Sequence, residues 1–505
     1  MATVKTSTFK RFAGYIKGYG PFFLWRFFIM GQTVQIPLVY GDGRSRRTLD
    51  YTQNFPVNMV PVPRQIKQAN GYMRSWYGLT KYSDVAGRSR GGVYNTYDNN
   101  VYRVQGEKLY RGDSVLNSIT GVNRCSMAYS RTSVAVATDG AMKLYLYDGS
   151  TKEITNWPAS SANPTSYNWG KIQDVVRLRG RYIWSQQNSD TFWITDIEDE
   201  SHPDRTAAAY RAESMPDGLL ALRAWHDYVL CFGSSTIEFF TLTGQSSQVY
   251  ASQPAYMLNE GIAGQWCVAQ YGDTFAYLTG PASGVNTIKL MAASGGGSQD
   301  VGNKQVKEIL AQYSASDLAS AVLEAFATSD GQYLIVHLPN ETLVYDGGAS
   351  QLLGIQAWSV LKSGVNEANP YRAIDFINEG SRVTCGDRID SIKGVIDTTT
   401  SGQYGEDVEM ILFTPLINAA QAVLTDLELD VSLGAENPIK NIFVTASEDG
   451  MVYGPERLMR YDDRMRFLGR AHMLKVGRVR SNVTFRFRLV GQAPAYLSKC
   501  SVYAS

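Results

Sequence analysis

A tight polar turn returns along this chain about every 40–50 residues, each time between short runs of β-branched and aromatic side chains. The turns are Asp98-Asn99-Asn100, Asp139-Gly140, Arg179-Gly180, His226-Asp227, Gly272-Asp273, Asp330-Gly331 and Asn378-Glu379-Gly380, at steps of about 41, 41, 47, 46, 57 and 48 residues. The flanking runs include Val101-Tyr102-Arg103-Val104, Tyr182-Ile183-Trp184, Tyr228-Val229-Leu230-Cys231-Phe232 and Tyr333-Leu334-Ile335-Val336. Four short strands per repeat is the spacing of a β-propeller blade. One such sheet cannot bury both of its faces alone, whereas a ring of them can. The spacing predicts a propeller of six or seven blades over residues 91–403, the alternative being unrelated antiparallel hairpins in a sandwich. The helical composition of Lys304 to Ala327 predicts an interruption within a blade.

Composition agrees with an all-β chain. Among 505 residues there are 31 Tyr, 19 Phe, 9 Trp and 46 Gly, with 44 % hydrophobic and only 19 % charged residues. That is too apolar for disorder and lacks the periodicity of collagen or a coiled coil. With 48 basic and 47 acidic side chains, the formal net charge of +1 gives no global attraction to nucleic acid or membrane. Five scattered cysteines, with no Cys-x-x-Cys and no zinc spacing, read as reduced thiols.

At the N-terminus, the apolar stretch Pro21 to Met30 is interrupted by Arg26, which suits neither a signal peptide nor a bilayer span. Residues 1–29 are therefore expected to be a non-native or flexible extension, with translation starting at Met30, and 30–90 an arm leading into the propeller. Near residue 400 the texture changes. Thr398-Thr399-Thr400-Ser401-Gly402 reads as a linker, and 404–505 as an antiparallel β-sandwich. Two strands there keep strict period two: Leu427, Leu429 and Val431 alternate with Glu428 and Asp430, while Val483, Phe485, Phe487 and Leu489 alternate with Thr484, Arg486 and Arg488.

Motifs of chemistry are sparse. Asp199-Glu200-Ser201-His202 spells a helicase acidic box, but no phosphate-cradling loop accompanies it, and Gly170-Lys171 is followed by Ile172 rather than a hydroxyl residue. Asp199, His202 and Asp204 read as a turn and salt-bridge cluster rather than a metal site. Arg111-Gly112-Asp113 reads as a turn. Ser447-x-Asp449-Gly450 matches the aspartate box of sialidase propellers, itself a structural turn, so a glycan-binding or sialidase-like propeller stands as the alternative function. No nucleophile motif is present, and no catalytic, cofactor or metal residue is assigned.

The exception is charge. Between Arg457 and Arg488 lie nine arginines and Lys475, opposed only by Asp462 and Asp463. This run reads either as a solvated face or as a docking surface, and in the second case for an acidic protein partner in preference to DNA phosphates, because stacking aromatics are not interleaved outside the strand core. The candidate interaction residues are the acidic ridge Asp426, Glu428 and Asp430, the basic ridge Arg486 and Arg488, and Arg478 and Arg480. If the ridges belong to one sheet they pair with each other; if not, each needs a partner on another subunit.

Several blocks together resemble one family. They include Pro56-Val57-Asn58-Met59, Gly71-Tyr72-Met73-Arg74-Ser75, Arg177-Leu178-Arg179-Gly180-Arg181-Tyr182 and Asp199-Glu200-Ser201-His202-Pro203-Asp204-Arg205. Further on come Phe232-Gly233-Ser234-Ser235-Thr236-Ile237-Glu238, Leu412-Phe413-Thr414-Pro415-Leu416 and Val476-Gly477-Arg478-Val479-Arg480. Colinear from about Met30 to the C-terminus, the chain resembles the packaged-DNA stabilisation proteins, or tail hub factors, of short-tailed phages of the Lederbergvirus type. The resemblance implies a non-enzymatic virion protein, made in the host cytoplasm, with no cofactor and no membrane partner. It implies a ring of six copies below the portal and its adaptor ring, receiving the tail needle, flanked by tailspikes and traversed non-specifically by duplex DNA. The near-neutral charge is compatible with such a passage.

Overall fold

The computed structural model describes residues 32–504 apart from 40–42, 45–50, 53, 65–70, 158–166, 198, 216, 367–368, 433–438, 440 and 463–468. The extension assigned to residues 1–29 lies outside the described residues. So do Arg464 and Arg466 of the basic run.

Seven four-stranded antiparallel sheets follow one another, the first six each built from four consecutive strands. Their innermost strands are Ser89–Asn95, Ser126–Tyr129, Ile172–Leu178, Leu219–Trp225, Val268–Tyr271, Val322–Thr328 and Ala373–Glu379. These strands surround a central channel, so the β-propeller has seven blades, numbered here in that order. Six of the seven turns read from the sequence occupy the same place, between a blade's first and second strands. In blade two, Asp139-Gly140 instead joins the second and third strands, Ser133–Thr138 and Ala141–Leu146. The equivalent turn there is Ser130-Arg131-Thr132, built by the Ser130 hydroxyl accepting from the Thr132 and Ser133 N–H groups at 3.2 and 3.1 Å. A Ser-Arg-Thr turn carries little sequence signal, whereas Asp139 and Gly140 both adopt positive φ and advertise theirs.

The helical segment does not interrupt a blade. Lys304–Leu310 and Ala315–Ala319 lie between blades five and six, and Val322–Thr328 is already blade six's first strand. Asn303 caps the first helix and Ser314 with Asp317 forms a capping box on the second. Val306, Ile309, Leu310 and Leu318 drop into the core that blades five and six share. Val322–Thr328 is a strand because it pairs along its whole length with Gly331–His337, a partner that the composition of the stretch does not state.

Blade seven is completed from the far end of the chain. Its outer strand is Gly78–Asp84, paired with Ile392–Asp397. This closes the ring by joining segments some three hundred residues apart.

Three further strands of the N-terminal arm join the other domain, whereas Phe55, Val60, Trp76 and Tyr77 pack into propeller cores. One sheet of the sandwich runs Arg460–Asp462, Gly469–Arg478, Val423–Ser432, Tyr496–Ala504, Tyr72–Ser75, Met59–Val62, with Gln32–Ile36 also paired to Tyr496–Ala504. The facing sheet runs Val408–Phe413, Asn482–Gly491, Asn441–Ser447, Arg457–Leu458, with Ile417–Asn418 on Asn482–Gly491. Ile36, Leu38, Met59 and Met73 are buried with Leu427, Leu429, Phe485 and Phe487 in a single core. The stretch read as a linker is pinned. Thr400 and Gly402 accept from the Gly78 and Leu79 N–H groups at 2.8 and 2.9 Å, and Ser401 N–H donates to the Gln492 carbonyl at 2.6 Å.

Candidate interaction surfaces

The two charged ridges lie on different sheets. Since Leu427, Leu429, Phe485 and Phe487 fill the shared core, alternation turns Asp426, Glu428 and Asp430 to the outer face of one sheet and Arg486 and Arg488 to the outer face of the other. They do not meet each other.

Each ridge nonetheless finds partners inside the chain. Glu428 stands opposite His472 and Ser501, and Asp430 opposite Arg470 and Lys499. Arg470 Nε lies 2.7 Å from Glu428 Oε1, and the Tyr503 hydroxyl donates to Glu428 Oε2 at 3.0 Å. Asp426 sits opposite Leu474 and Tyr503. Arg486 and Arg488 converge on Glu456. Arg488 donates through Nε at 2.8 Å and Nη2 at 2.6 Å, while Arg486 Nη2 is at 3.4 Å. The Arg488 fork holds the Glu456 carboxyl below its usual range. Both guanidinium groups also lie over rings, Arg488 over Phe443 at 4.8 Å and Arg486 over Tyr453 at 5.2 Å. Glu456 was missed in the sequence because it stands one residue before the basic run begins.

Arg478 and Arg480 differ. Both are exposed, and among the described residues neither has a carboxylate at ion-pair distance. They adjoin a bulge in the Gly469–Arg478 strand, where the register to Val423–Ser432 shifts and Lys475 adopts φ 56°. Arg457 donates to the bulge carbonyls of Leu474, Lys475 and Val476 at 3.2–3.3 Å. Leu474 beside them is 54 % exposed. The result is a cationic rim with an apolar residue at its edge.

Within the propeller, a cavity of about 660 Å³ occupies the channel. Arg124, Arg177, Arg223, Glu324, Asp375 and Trp266 are among its lining residues. Each lining arginine already has an acid: Arg177 meets Glu200 at 3.1 Å, Arg223 meets Asp174 at 2.9 Å, and Arg124 meets Asp375 and Glu324.

The polar motifs act as braces. His202 Nδ1 lies 3.2 Å from Asp199 Oδ1, its ring stacks on Trp157 at 4.1 Å, and Arg205 lies over Trp157 at 3.9 Å. Asp449 Oδ1 accepts from the Ser447 hydroxyl and from the Met451 and Val452 N–H groups at 2.8–3.0 Å, which takes its carboxyl down to about 2. In Arg111-Gly112-Asp113, Arg111 pairs with Asp98 at 2.9 Å and Asp113 with Lys393 of blade seven at 3.1 Å. The five cysteines are free and buried.

The described residues thus form a seven-bladed propeller laced to a β-sandwich, with charge gathered into surface ridges and inter-blade braces. The family model described as bacteriophage P22 Gp10, beta-propeller, matches residues 34–401, and its companion, P22 Gp10, beta-sandwich, matches residues 409–505. The tail hub protein gp10 of Salmonella phage P22 is 40 % identical over 471 residues, covering 93 % of this chain and 98 % of the relative. Among solved structures, the computationally designed Ika8 protein covers 63 % of this chain and 99 % of its own at 10 % identity and TM-score 0.35. Kluyveromyces lactis Hsv2 covers 65 % and 93 % at 10 % identity and TM-score 0.34. The chain belongs to the P22 Gp10 family, as its sequence blocks implied, and is a structural protein of a phage virion tail. Among the described residues no helix is long and apolar enough to cross a membrane.

Proposed function

We propose that this chain is the ring-forming hub of a short phage tail. Six copies assemble below the portal and its adaptor ring after packaging, extend the DNA channel, retain the packaged genome and receive the tail needle, with tailspikes against the side. The observation that carries this reading is the end-to-end relation to the P22 tail hub protein, 98 % of which is matched. The absence of turnover is part of the proposal. It is supported by the acidic and histidine motifs, whose polar atoms are spent on turns and inter-blade ties.

In the proposed ring, duplex DNA passes between copies and not through any one propeller. A cavity of about 660 Å³ spanned by Arg124 is far too small for a duplex. Of the candidate interaction residues, Arg478 and Arg480 are assigned to an acidic partner. Asp426, Glu428, Asp430, Arg486 and Arg488 serve as flanking ridges that set register.

Negative-stain imaging of the purified protein mixed with its adaptor ring tests this. A closed sixfold ring seated on the adaptor is expected. A protein that ignores the adaptor and binds glycan instead overturns the reading.

A further inference from the structure

Across the propeller channel one guanidinium serves two buried carboxylates. Arg124, just before blade two's inner strand, places Nη2 at 2.5 Å from Asp375 Oδ1 in blade seven and at 3.5 Å from Glu324 Oε1 in blade six. Its guanidinium also lies over Trp266, ahead of blade five, at 5.1 Å. The Phe376 N–H donates to Glu324 Oε2 at 3.0 Å, tying blades six and seven directly. One side chain of blade two thus spans the ring to its opposite side.

The surroundings make two simultaneous negative charges expensive. The Glu324 and Asp375 side chains are only 10 % and 3 % exposed. Asp375 holds a left-handed backbone at φ 58°, and its Oδ2 has no hydrogen-bond partner. The other charged or titratable groups facing this pair are few. From blade one, Arg103 Nη1 donates to the Asp375 backbone carbonyl at 2.9 Å, and Arg103 itself is flanked by Glu379 and Cys385 of blade seven. Arg388, after blade seven's second strand, acts on Glu324 through space. His337 of blade six stacks against Phe376 at 6.3 Å; burial together with Arg388 and Arg124 keeps its imidazole neutral. Two carboxylates on one guanidinium, both desolvated, favour one shared proton. Glu324 is where it resides, because Asp375 makes the shorter bond to Arg124. Burial and the Asp375 charge raise the Glu324 carboxyl to about 7.

We propose that Arg124, Glu324 and Asp375 form a proton-dependent latch that closes the propeller across its channel, tight when Glu324 carries a proton and loosened when that proton leaves. The sign follows from linkage. The folded chain keeps the proton at a pH where the unfolded chain has released it. Its contribution is therefore fully present below the unfolded carboxyl range and is lost as pH rises through about 7.

The test uses the full chain. Hydrogen exchange in Val322–Thr328 and Ala373–Glu379 should speed up about tenfold between roughly pH 6 and pH 8.5, after correction for intrinsic exchange. In Glu324→Gln, which carries a permanent neutral amide, it should not. A buried carboxylic-acid infrared band in the unmodified protein should be present at the lower pH and gone at the higher one, which keeps the latch testable if the variant fails to fold. Equal pH dependence in wild type and Glu324→Gln, or no such band at the lower pH, overturns the proposal.

Discussion

The Asn58 side chain binds both backbone polar groups of Lys362: Oδ1 accepts from the Lys362 N–H at 2.9 Å and Nδ2 donates to the Lys362 carbonyl at 3.2 Å. The same Nδ2 donates to the Glu409 carbonyl at 2.9 Å. One amide in the N-terminal arm thus holds the end of blade six against the first strand of the sandwich. Asn58 is 3 % exposed and sits at φ 51°, a conformation that Asn tolerates better than most residues. Burial at the junction demands that each of these backbone groups be satisfied.

Asn58→Ala should accordingly cost about 3 kcal/mol, since it leaves buried backbone groups unpaired. Asn58→Asp should cost at least as much, because a carboxylate replaces the donor opposite two carbonyls. Denaturant unfolding measures both. Limited proteolysis should then cut first near residues 362–409, and an unchanged cleavage pattern would count against Asn58 as the junction clamp.

Asp174 is the corresponding tie among blades two, three and four. Its carboxylate accepts from the Ser126 hydroxyl, from the Val175 and Leu222 N–H groups at 2.9 and 2.8 Å, and from Arg223 at 2.9 Å. With side chains 2 % and 20 % exposed, Asp174 and Arg223 form a largely buried pair. Asp174→Ala should destabilise by about 3–5 kcal/mol. Asp174→Asn retains an acceptor and should lose less. Thermal unfolding of the two variants side by side reads that order.

Ring closure depends on Gly78. A Cβ there would stand 2.6 Å from the Gly402 carbonyl oxygen and 2.6 Å from Thr400 Cγ2. Gly78→Val should therefore push the outer strand off blade seven, at a cost of about 1–3 kcal/mol or more. Faster hydrogen exchange confined to residues 78–84 and 392–397 is the expected signature, and uniform destabilisation would contradict it.

Charge reversal should separate docking from folding. Arg478→Glu with Arg480→Glu alters exposed cations with no carboxylate at ion-pair distance among the described residues, so stability should stay within about 0.5 kcal/mol. Binding to the adaptor ring should weaken, most visibly at low salt. Arg486→Glu with Arg488→Glu instead sets like charges against Glu456 and should lower stability by about 1 kcal/mol. Adding Glu456→Arg should restore it. If both double variants assemble normally at low salt, the basic face is merely solvated.

Local order was legible because it is encoded locally. Period-two alternation in Leu427 to Val431 and in Val483 to Leu489 states which side chains enter a core, whatever strand lies beside them. Turn residues with positive φ, such as Arg179, His226 and Gly380, announce hairpins for the same reason. From these came the all-β class, the blade rhythm and the faces of both charged ridges.

Partnership was another matter. Hydrogen-bonding edges of strands are chemically alike, so no residue in Gly78–Asp84 states that it will close blade seven, and none in Tyr72–Ser75 states that it will enter the sandwich. Glu456 meets Arg488 only because strands of one sheet bring positions 32 apart together, and Arg124 reaches Glu324 and Asp375 only because the chain returns 200 and 251 residues later across a channel. The alternation of side chains is set by backbone geometry within each strand. Which charges lie opposite one another is decided only when the ring closes and the two sheets pack, because Coulomb and hydrogen-bond partners are chosen by distance in space.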